Sequence, residues 1–185
     1  MDIDKAIKAR HSVRRFTTKK PDWREIIEAI DSARLGPLAG NLQTIRVVLV
    51  SEKEKIKKIA EACQQDFVGT VEHIVVFCSD LSQVERSYSE RAAMYSRQQV
   101  GAAIENFLLK ITEFGLATCW IGDFVDDDVK RVLDIPDNII VEALFPIGYE
   151  MPPKAKQETK TALDNILFFD TWKNKFMGRK ISFRA

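Results

Sequence analysis

Residues 10–16 of this chain read RHSVRRF, and this arginine segment places three guanidinium groups, an imidazole and a hydroxyl within seven residues. A guanidinium is a planar fork of donors that matches the oxygens of a phosphate or a carboxylate. The segment therefore indicates an anionic ligand, and a solvated basic turn is the alternative interpretation of the same charges. Ser12 and Phe16 favour the ligand, because a purely solvated turn needs neither a small hydroxyl nor an aromatic residue.

Helical patterns flank the arginine segment on both sides. Before it, Ile3, Ala6 and Ile7 fall on one helical face. After it, Asp22 is placed to cap a helix that carries a regular apolar stripe and ends near Leu35. Residues 36–43 then read GPLAGNLQ, which predicts a loop with two glycines and two amide side chains. The loop is long for a simple connection, and such loops often carry function.

Four apolar runs predict strands, and one long pattern predicts a central helix. The strands are predicted over residues 45–50, which should be buried on both faces, and over residues 73–78, 116–121 and 139–149. Ser51 with Glu54 predicts a capping box for a helix between the first two strands. The central helix is predicted from Ser96 to a glycine cap at Gly115, with small residues at 101–103 that suit close approach of a second subunit.

Two segments have no clear core of their own. Residues 81–95 are polar and lack a clean period, so we interpret them as a mobile helix or lid. We expect one domain over residues 1–185, in which the basic tail of residues 151–185 wraps a partner subunit and residues 181–184 form an edge strand.

Composition excludes several classes of protein. The chain has 185 residues, 45% of them hydrophobic, which is enough for one buried domain. A net charge of +1 provides no long-range field for a polyanion, so we expect neither nucleic acid nor a membrane surface as a partner. No apolar run approaches the roughly 20 residues of a membrane span and no leader pattern begins the chain, so we expect a cytoplasmic protein.

The reactive side chains do not form a familiar catalytic or metal-binding motif. Cys63, Cys78 and Cys119 lie in apolar patterns without metal or redox spacing, and we interpret them as reduced core thiols. His73 lacks a nearby second ligand, which favours a structural histidine over a metal ligand. No dinucleotide fingerprint, P-loop, nucleophile elbow or zinc-protease motif is present. We therefore predict no metal and no catalytic side chain, and expect an enzyme of this kind to use the chemistry of a cofactor.

Five separate stretches together resemble the nitroreductase family of flavin enzymes. They are the arginine segment, PLAGNLQ at 37–43, ENFLL at 105–109, GLATCWIG at 115–122 and PIGY at 146–149. The resemblance runs from about Met1 to Tyr149. It implies an α+β fold, with a central, mostly antiparallel sheet flanked by helices, assembled as an intertwined homodimer with two FMN sites at the interface.

The resemblance also implies an activity and a set of cofactor-binding residues. The activity is reduction of FMN by NADH or NADPH, followed by transfer of two electrons to a nitroaromatic, quinone or similar small-molecule acceptor. Arg10 and Arg14 would bind the phosphate and ribityl chain, with His11 and Ser12 beside the ribityl and pyrimidine. The other implied contacts are Pro37, Leu38, Ala39, Asn41 and Gln43 from the second subunit, Gln64 at the pyrimidine edge, Trp120, Ile121, Gly122 and Asp123 along the ring, and Lys160 at the phosphate.

Some residues depart from the family pattern, and they leave the reaction open. Thr44-Ile45 replaces the usual Pro-Trp after Gln43, and Lys160 stands where the family usually has an arginine. Because residues 81–95 would shape the acceptor pocket, the sequence leaves two alternatives to the reductase. One is a flavin carrier or sensor without turnover, and the other is a relative that performs dehalogenation or fragments the flavin.

Overall fold

Seven α-helices, three short 3-10 helices and four strands are present in the described part of the chain, which in this computed structural model is residues 1–153 and 160–177. The chain divides into two units, Met1–Ala155 and Lys156–Ala185. The helices of the first unit are α1 (Ile3–Ala9), α2 (Trp23–Ala33), α3 (Lys53–Cys63), α4 (Ser82–Tyr88), α5 (Ala92–Glu113) and α6 (Asp126–Leu133). Its strands are β1 (Ile45–Val50), β2 (His73–Ser79), β3 (Ala117–Thr118) and β4 (Ile140–Gly148), and the second unit contains α7 (Leu163–Ile166).

The four strands form one sheet in the order β1-β2-β4-β3, and every adjacent pair is antiparallel. β2 and β4 are central and almost wholly buried, as expected for strands covered on both faces. Helices flank this sheet, so the predicted α+β class with a mostly antiparallel sheet is confirmed.

Helix α5 packs its apolar stripe on the sheet and on α2. The rings of Phe77, Phe107 and Phe145 meet with centroids 5.3 to 5.5 Å apart. Offset and edge-on packing of this kind suits the charge distribution of aromatic rings. The predicted central position of the helix is confirmed, but its start at Ser96 is wrong: the helix begins at Ala92, because Ala92, Ala93 and Met94 are good helix formers that extend it by one turn.

Of the N-terminal caps predicted for α2 and α3, the first is confirmed and the second is wrong. The side chain of Asp22 accepts a hydrogen bond from the backbone N–H of Arg24 at 2.9 Å, which confirms the cap of α2. The capping box of α3 is wrong, because Glu52 occupies the cap position and its side chain makes no capping bond.

Two strand predictions are corrected. β1 is an edge strand, so its side chains are only partly covered in the single chain and Arg46 is exposed. The strand predicted over residues 116–121 is only two residues long, and Ile121 rejoins the sheet through an isolated bridge to Leu144. The chain turns between Thr118 and Ile121, and Trp120 lies within this turn.

The second unit has little buried surface within itself. Phe168 and Trp172 stack with ring centroids 4.7 Å apart, and Lys175 lies 4.0 Å above the Phe168 ring. Trp172 and Met177 are largely exposed. The edge strand predicted at 181–184 lies outside the described residues, and the wrapping of a partner by this tail stays a prediction.

Candidate functional site

Backbone hydrogen bonds hold the arginine segment against β3 and the end of β4. The N–H of Val13 donates to the carbonyl of Thr118 at 2.9 Å, and the N–H of Thr17 donates to the carbonyl of Tyr149 at 2.8 Å. The N–H of Met151 donates back to the carbonyl of Arg15 at 2.9 Å. Val13 and Phe16 are buried while Arg14 is exposed, so apolar anchors lie between the cationic residues. The segment alternates apolar and cationic residues because its apolar side chains belong to the core and its cationic side chains to the surface.

Phe16 packs so tightly on Gly148 that only glycine fits there. A Cβ atom on residue 148 would lie 2.7 Å from Cδ1 and 3.0 Å from Cγ of the Phe16 ring. Contacts below 3.0 Å are repulsive, so the glycine in the PIGY stretch is needed for close approach of the arginine segment.

A cavity of about 510 Å³ opens beside the arginine segment. This volume lies within the usual range for a small-molecule or cofactor pocket. Among the predicted site residues, it is lined by Arg10, His11, Ser12 and Trp120. The C-terminal half of α5 supplies an apolar wall that includes Leu108 and Ile111.

Two carboxylates hold the basic groups of the cavity in place. The Nε atom of Arg10 lies 3.7 Å from Glu105 Oε1 on α5. His11 Nδ1 lies 2.8 Å from the carbonyl of Ala9, and its Nε2 lies 3.0 Å from Glu150 Oε1. The carbonyl of Ala9 can only accept, so Nδ1 is the donor in that contact. The two contacts fix the orientation of the imidazole ring between a backbone carbonyl and a carboxylate.

Thr118 provides an unsatisfied polar atom at the cavity. The residue is among those that line the cavity and is buried, and its Oγ1 has no hydrogen-bond partner among the described residues. An unpaired buried hydroxyl is costly unless a ligand or water completes it. Thr118 is therefore a buried polar group beside the cavity whose hydroxyl is unsatisfied in the described residues.

The segment after β3 turns Trp120 into the cavity and Ile121 into the core. The Trp120 ring lies edge-on to Phe145, with centroids 5.5 Å apart, and the residue is 44% exposed. Both backbone groups of Ile121 bond to Leu144 at 3.0 Å. Gly122 and Asp123 are exposed, so they are the residues of this segment that face solvent.

Gln64 lies near this segment but outside the cavity lining. It ends α3 in a left-handed conformation, and the carbonyl of Ala62, two residues earlier, accepts a hydrogen bond from Val125 at 3.0 Å. Asp123 also lies near Cys63, where burial and this carboxylate raise the pKa of the thiol to about 11. The predicted pyrimidine contact of Gln64 stays a prediction.

All three cysteines are buried and free. Burial raises the pKa of Cys78 to about 11 and raises that of Cys119, although the charge of Arg14 acts in the opposite direction on Cys119. Their environments are those of core thiols, as expected. Among the described residues, no group of three or more His, Cys, Asp or Glu side chains could hold a metal ion.

The loop of residues 36–43, here called the amide loop, does not line the cavity of its own chain in the described residues. Gly40 and Asn41 both have left-handed backbones, with φ of 58° and 59°. The side-chain oxygen of Gln43 accepts a hydrogen bond from Ile45 N–H at 3.1 Å. The predicted residues of this loop, Pro37, Leu38, Ala39, Asn41 and Gln43, are thus separated from Arg10, His11, Ser12 and Trp120 within one chain.

The structure also identifies residues that the sequence analysis missed. Glu150 carries no local pattern that would reveal its contact with His11. Gln99 does carry a signal, because it is a polar residue in step with the buried positions 103 and 107 of the α5 stripe. Lys160 is exposed and belongs to the second unit, and its phosphate contact stays a prediction.

Fold and cavity together define an α+β protein with a cavity lined by part of a cationic segment, an aromatic ring and an apolar helix. The model of the nitroreductase family matches residues 7–69 and 60–149 of this chain. The chain therefore belongs to the nitroreductase family, as the five stretches predicted.

Proteins similar to this chain are named for different activities. A protein of Archaeoglobus fulgidus, provisionally named an NADH dehydrogenase/NAD(P)H nitroreductase, is 27% identical over 167 residues, covering 88% of this chain and 91% of the relative. The iodotyrosine deiodinase of Thermotoga neapolitana is 26% identical over 165 residues, covering 80% and 89%. A solved iodotyrosine deiodinase bound to FMN and 3-iodo-L-tyrosine shares the fold, with a TM-score of 0.76, 21% identity, and coverage of 88% of this chain and 97% of that one.

No helix in the described ranges, 1–153 and 160–177, is long and apolar enough to cross a membrane.

Proposed function

We propose that this chain is a homodimeric FMN-dependent oxidoreductase that takes a hydride from NADH or NADPH and passes two electrons to a nitroaromatic, quinone or similar acceptor. The observation that carries the proposal is the 510 Å³ cavity at which Arg10, His11 and Ser12 meet the Trp120 ring. Membership of the nitroreductase family and the FMN-bound neighbour support the choice of cofactor.

The residues around the cavity fit a phosphorylated planar cofactor. Among the described residues, Arg10 makes one long contact, with Glu105, which leaves most of its five N–H donors for a ligand. The exposed Arg14 does not line the cavity of its own chain but would add a second guanidinium beside it. The exposed Ser12 supplies a hydroxyl that can bond to polar ligand groups. Trp120 and the apolar wall of α5 suit the ring portion of such a ligand.

A second subunit would complete the site. The amide loop carries five of the predicted cofactor contacts but does not line the cavity of its own chain in the part that the structure describes. In the proposed homodimer, the amide loop of one protomer reaches the cavity of the other. The half-covered side chains of β1 and the exposed Ile3, Ile7 and Leu35 supply apolar surface for this association.

The protein groups bind and orient, while the redox chemistry belongs to the cofactor. Bound FMN would accept a hydride from a reduced nicotinamide and release two electrons to the acceptor. Arg10 and Arg14 would hold the phosphate, and the contact with Glu150 would hold the His11 ring in place beside the cavity. The phosphate contact of Lys160 rests on the family resemblance alone. Apolar residues of α5 would exclude water from the ring.

The test is the flavin content and the spectrum of the purified protein. We expect a yellow protein from which chromatography recovers FMN, not FAD, and whose absorbance bleaches on anaerobic addition of NADH or NADPH. Steady-state kinetics should be ping-pong, because both substrates use one face of the flavin. Recovery of FAD would refute the cofactor assignment, and a flavin inert to both nucleotides would favour the carrier or sensor.

Dehalogenation is the second candidate function, favoured by the similarity to iodotyrosine deiodinase over 165 residues. The discriminating measurement is release of iodide from an iodinated phenol by the chemically reduced protein, compared with reduction of a nitroaromatic under the same conditions. Iodide release at a rate above that of nitro reduction would replace the first proposal by the second.

A further inference from the structure

We propose that Gln99 is a positioning residue that holds the amide loop in the conformation needed to bind flavin in the partner subunit's site. The effect on flavin binding rests on the proposed function, whereas the contact between Gln99 and the amide loop does not depend on a flavin. Gln99 projects from α5, outside the cavity and outside the set of residues implied by the family resemblance.

The side-chain amide of Gln99 joins the two ends of the turn in the loop. It is 4% exposed. With its nitrogen toward Leu42, the amide donates to the Leu42 carbonyl at 3.1 Å, and its oxygen accepts from the Ala39 N–H at 3.2 Å. The hydroxyl oxygen of Thr44 lies 3.4 Å from one end of the same amide. One side chain thus pairs a donor and an acceptor that lie three residues apart in the loop.

The turn of the loop has few hydrogen bonds of its own. Asn41 has a φ of 59°, a left-handed conformation that is uncommon for a residue with a side chain, although asparagine adopts it more readily than most. The local bonds are modest: Asn41 N–H donates to Leu38 at 3.5 Å and Leu42 N–H donates to Ala39 at 3.1 Å. Gln99 adds two bonds from a rigid helix, which selects one arrangement of the turn.

A second element packs on the other side of the same turn. A Cβ atom on Gly40 would lie 2.5 Å from the Tyr88 hydroxyl at the end of α4. The turn is therefore enclosed between the α4 tyrosine and the α5 amide, and it can present its exposed residues only outward. Asn41, which the family resemblance assigns to the flavin, is one of these exposed residues.

An apolar side chain of the same size would leave the loop groups unpaired. In Gln99→Met, the volume is nearly preserved, but the N–H of Ala39 and the carbonyl of Leu42 lose their partner. The matched control is Gln98→Met, the same change on the adjacent residue of α5, whose side chain is exposed. Because the two variants share composition and helix propensity, a difference between them reports the buried amide.

The first measurement is hydrogen exchange of the backbone amides of residues 39–42 in the purified dimer. We expect these amides to exchange at least about tenfold faster in Gln99→Met than in wild type, with β2 and β4 unchanged, and no change in Gln98→Met. Equal exchange in all three proteins would overturn the proposal whether or not the protein binds flavin. Should Gln99→Met not fold, Thr44→Val removes the neighbouring hydroxyl and is expected to accelerate the same amides to a smaller extent.

The second measurement is FMN affinity by fluorescence titration. We expect about tenfold weaker binding in Gln99→Met and wild-type binding in Gln98→Met. Faster exchange with unchanged affinity would overturn the positioning role while leaving FMN binding intact. Absence of FMN binding in the wild type would instead refute the proposed function. Hydrogen exchange of residues 39–42 would still test the contact between Gln99 and the amide loop.

A mixed dimer tests the action on the partner's site. A heterodimer of a Gln99→Met chain with an Arg14→Ala chain should contain one site with both lesions and one site with neither. Titration should find close to one tight FMN per dimer. If Gln99 acted on the site of its own chain, each site would carry one lesion, so two differently weakened sites and no tight site would overturn the inference.

Discussion

Replacing Gly148 by alanine tests how closely the arginine segment is held to the sheet. The added Cβ would lie 2.7 Å from Cδ1 of the Phe16 ring and 3.2 Å from its Cβ, so the ring or the strand must shift. Phe16 is buried and joined to β4 by the flanking backbone bonds, which leaves little space for relaxation. Overpacking of this kind typically costs about 1 to 3 kcal/mol.

The expected loss of stability is measurable by thermal and urea unfolding. For a chain of this length, about 2 to 4 °C of Tm are lost per kcal/mol, so Gly148→Ala should lower Tm by about 2 to 12 °C. All variants must be compared at one protein concentration and one flavin loading, because association and ligand both raise Tm.

A double-mutant cycle with Phe16→Leu identifies the cause. The smaller side chain should make the alanine at 148 less costly than it is beside phenylalanine, which gives a coupling of about 1 kcal/mol. Gly101→Ala is the comparison variant, because a Cβ there meets nothing within 4 Å in the chain and the change, inside helix α5, is expected to raise the Tm of the chain. A Gly148→Ala protein with wild-type Tm, or a cycle without coupling, would refute the packing argument.

Three further predictions concern charge and reactivity. Arg14→Ala should lose FMN while circular dichroism stays unchanged, and unchanged flavin content would remove Arg14 from the phosphate site. Glu150→Gln should lower the free energy of unfolding by about 1 kcal/mol in urea, because a charge-assisted bond to His11 becomes a neutral one. Since the pKa values of Cys63 and Cys78 are raised to about 11, both thiols should stay protonated at pH 8 and react with a disulfide reagent only after unfolding; rapid modification of the native protein would contradict this.

Local patterns predicted most of the elements correctly. The Asp22 cap, the apolar stripe of α5 and the buried runs that became β2 and β4 each depend on residues close together in the chain. Such signals can be recognised in the sequence because the periodicity of apolar residues reflects the burial of one face of a helix or strand. Three of the predictions that were wrong, the Ser51 cap, the start of α5 at Ser96 and the length of the strand at 116–121, concern ends of elements, where neighbouring segments decide the outcome.

The sequence by itself determined the fold class, the family and the location of the cationic segment, because these follow from periodicity and from short motifs. Only the tertiary structure decided that His11 meets Glu150, 139 positions away, that Phe16 requires glycine at 148, and that Gln99 bonds to the amide loop. It also decided that β1 is a half-covered edge strand. Each of these depends on which distant segments meet, and a contact between distant segments leaves no periodic signal in the residues on either side of it.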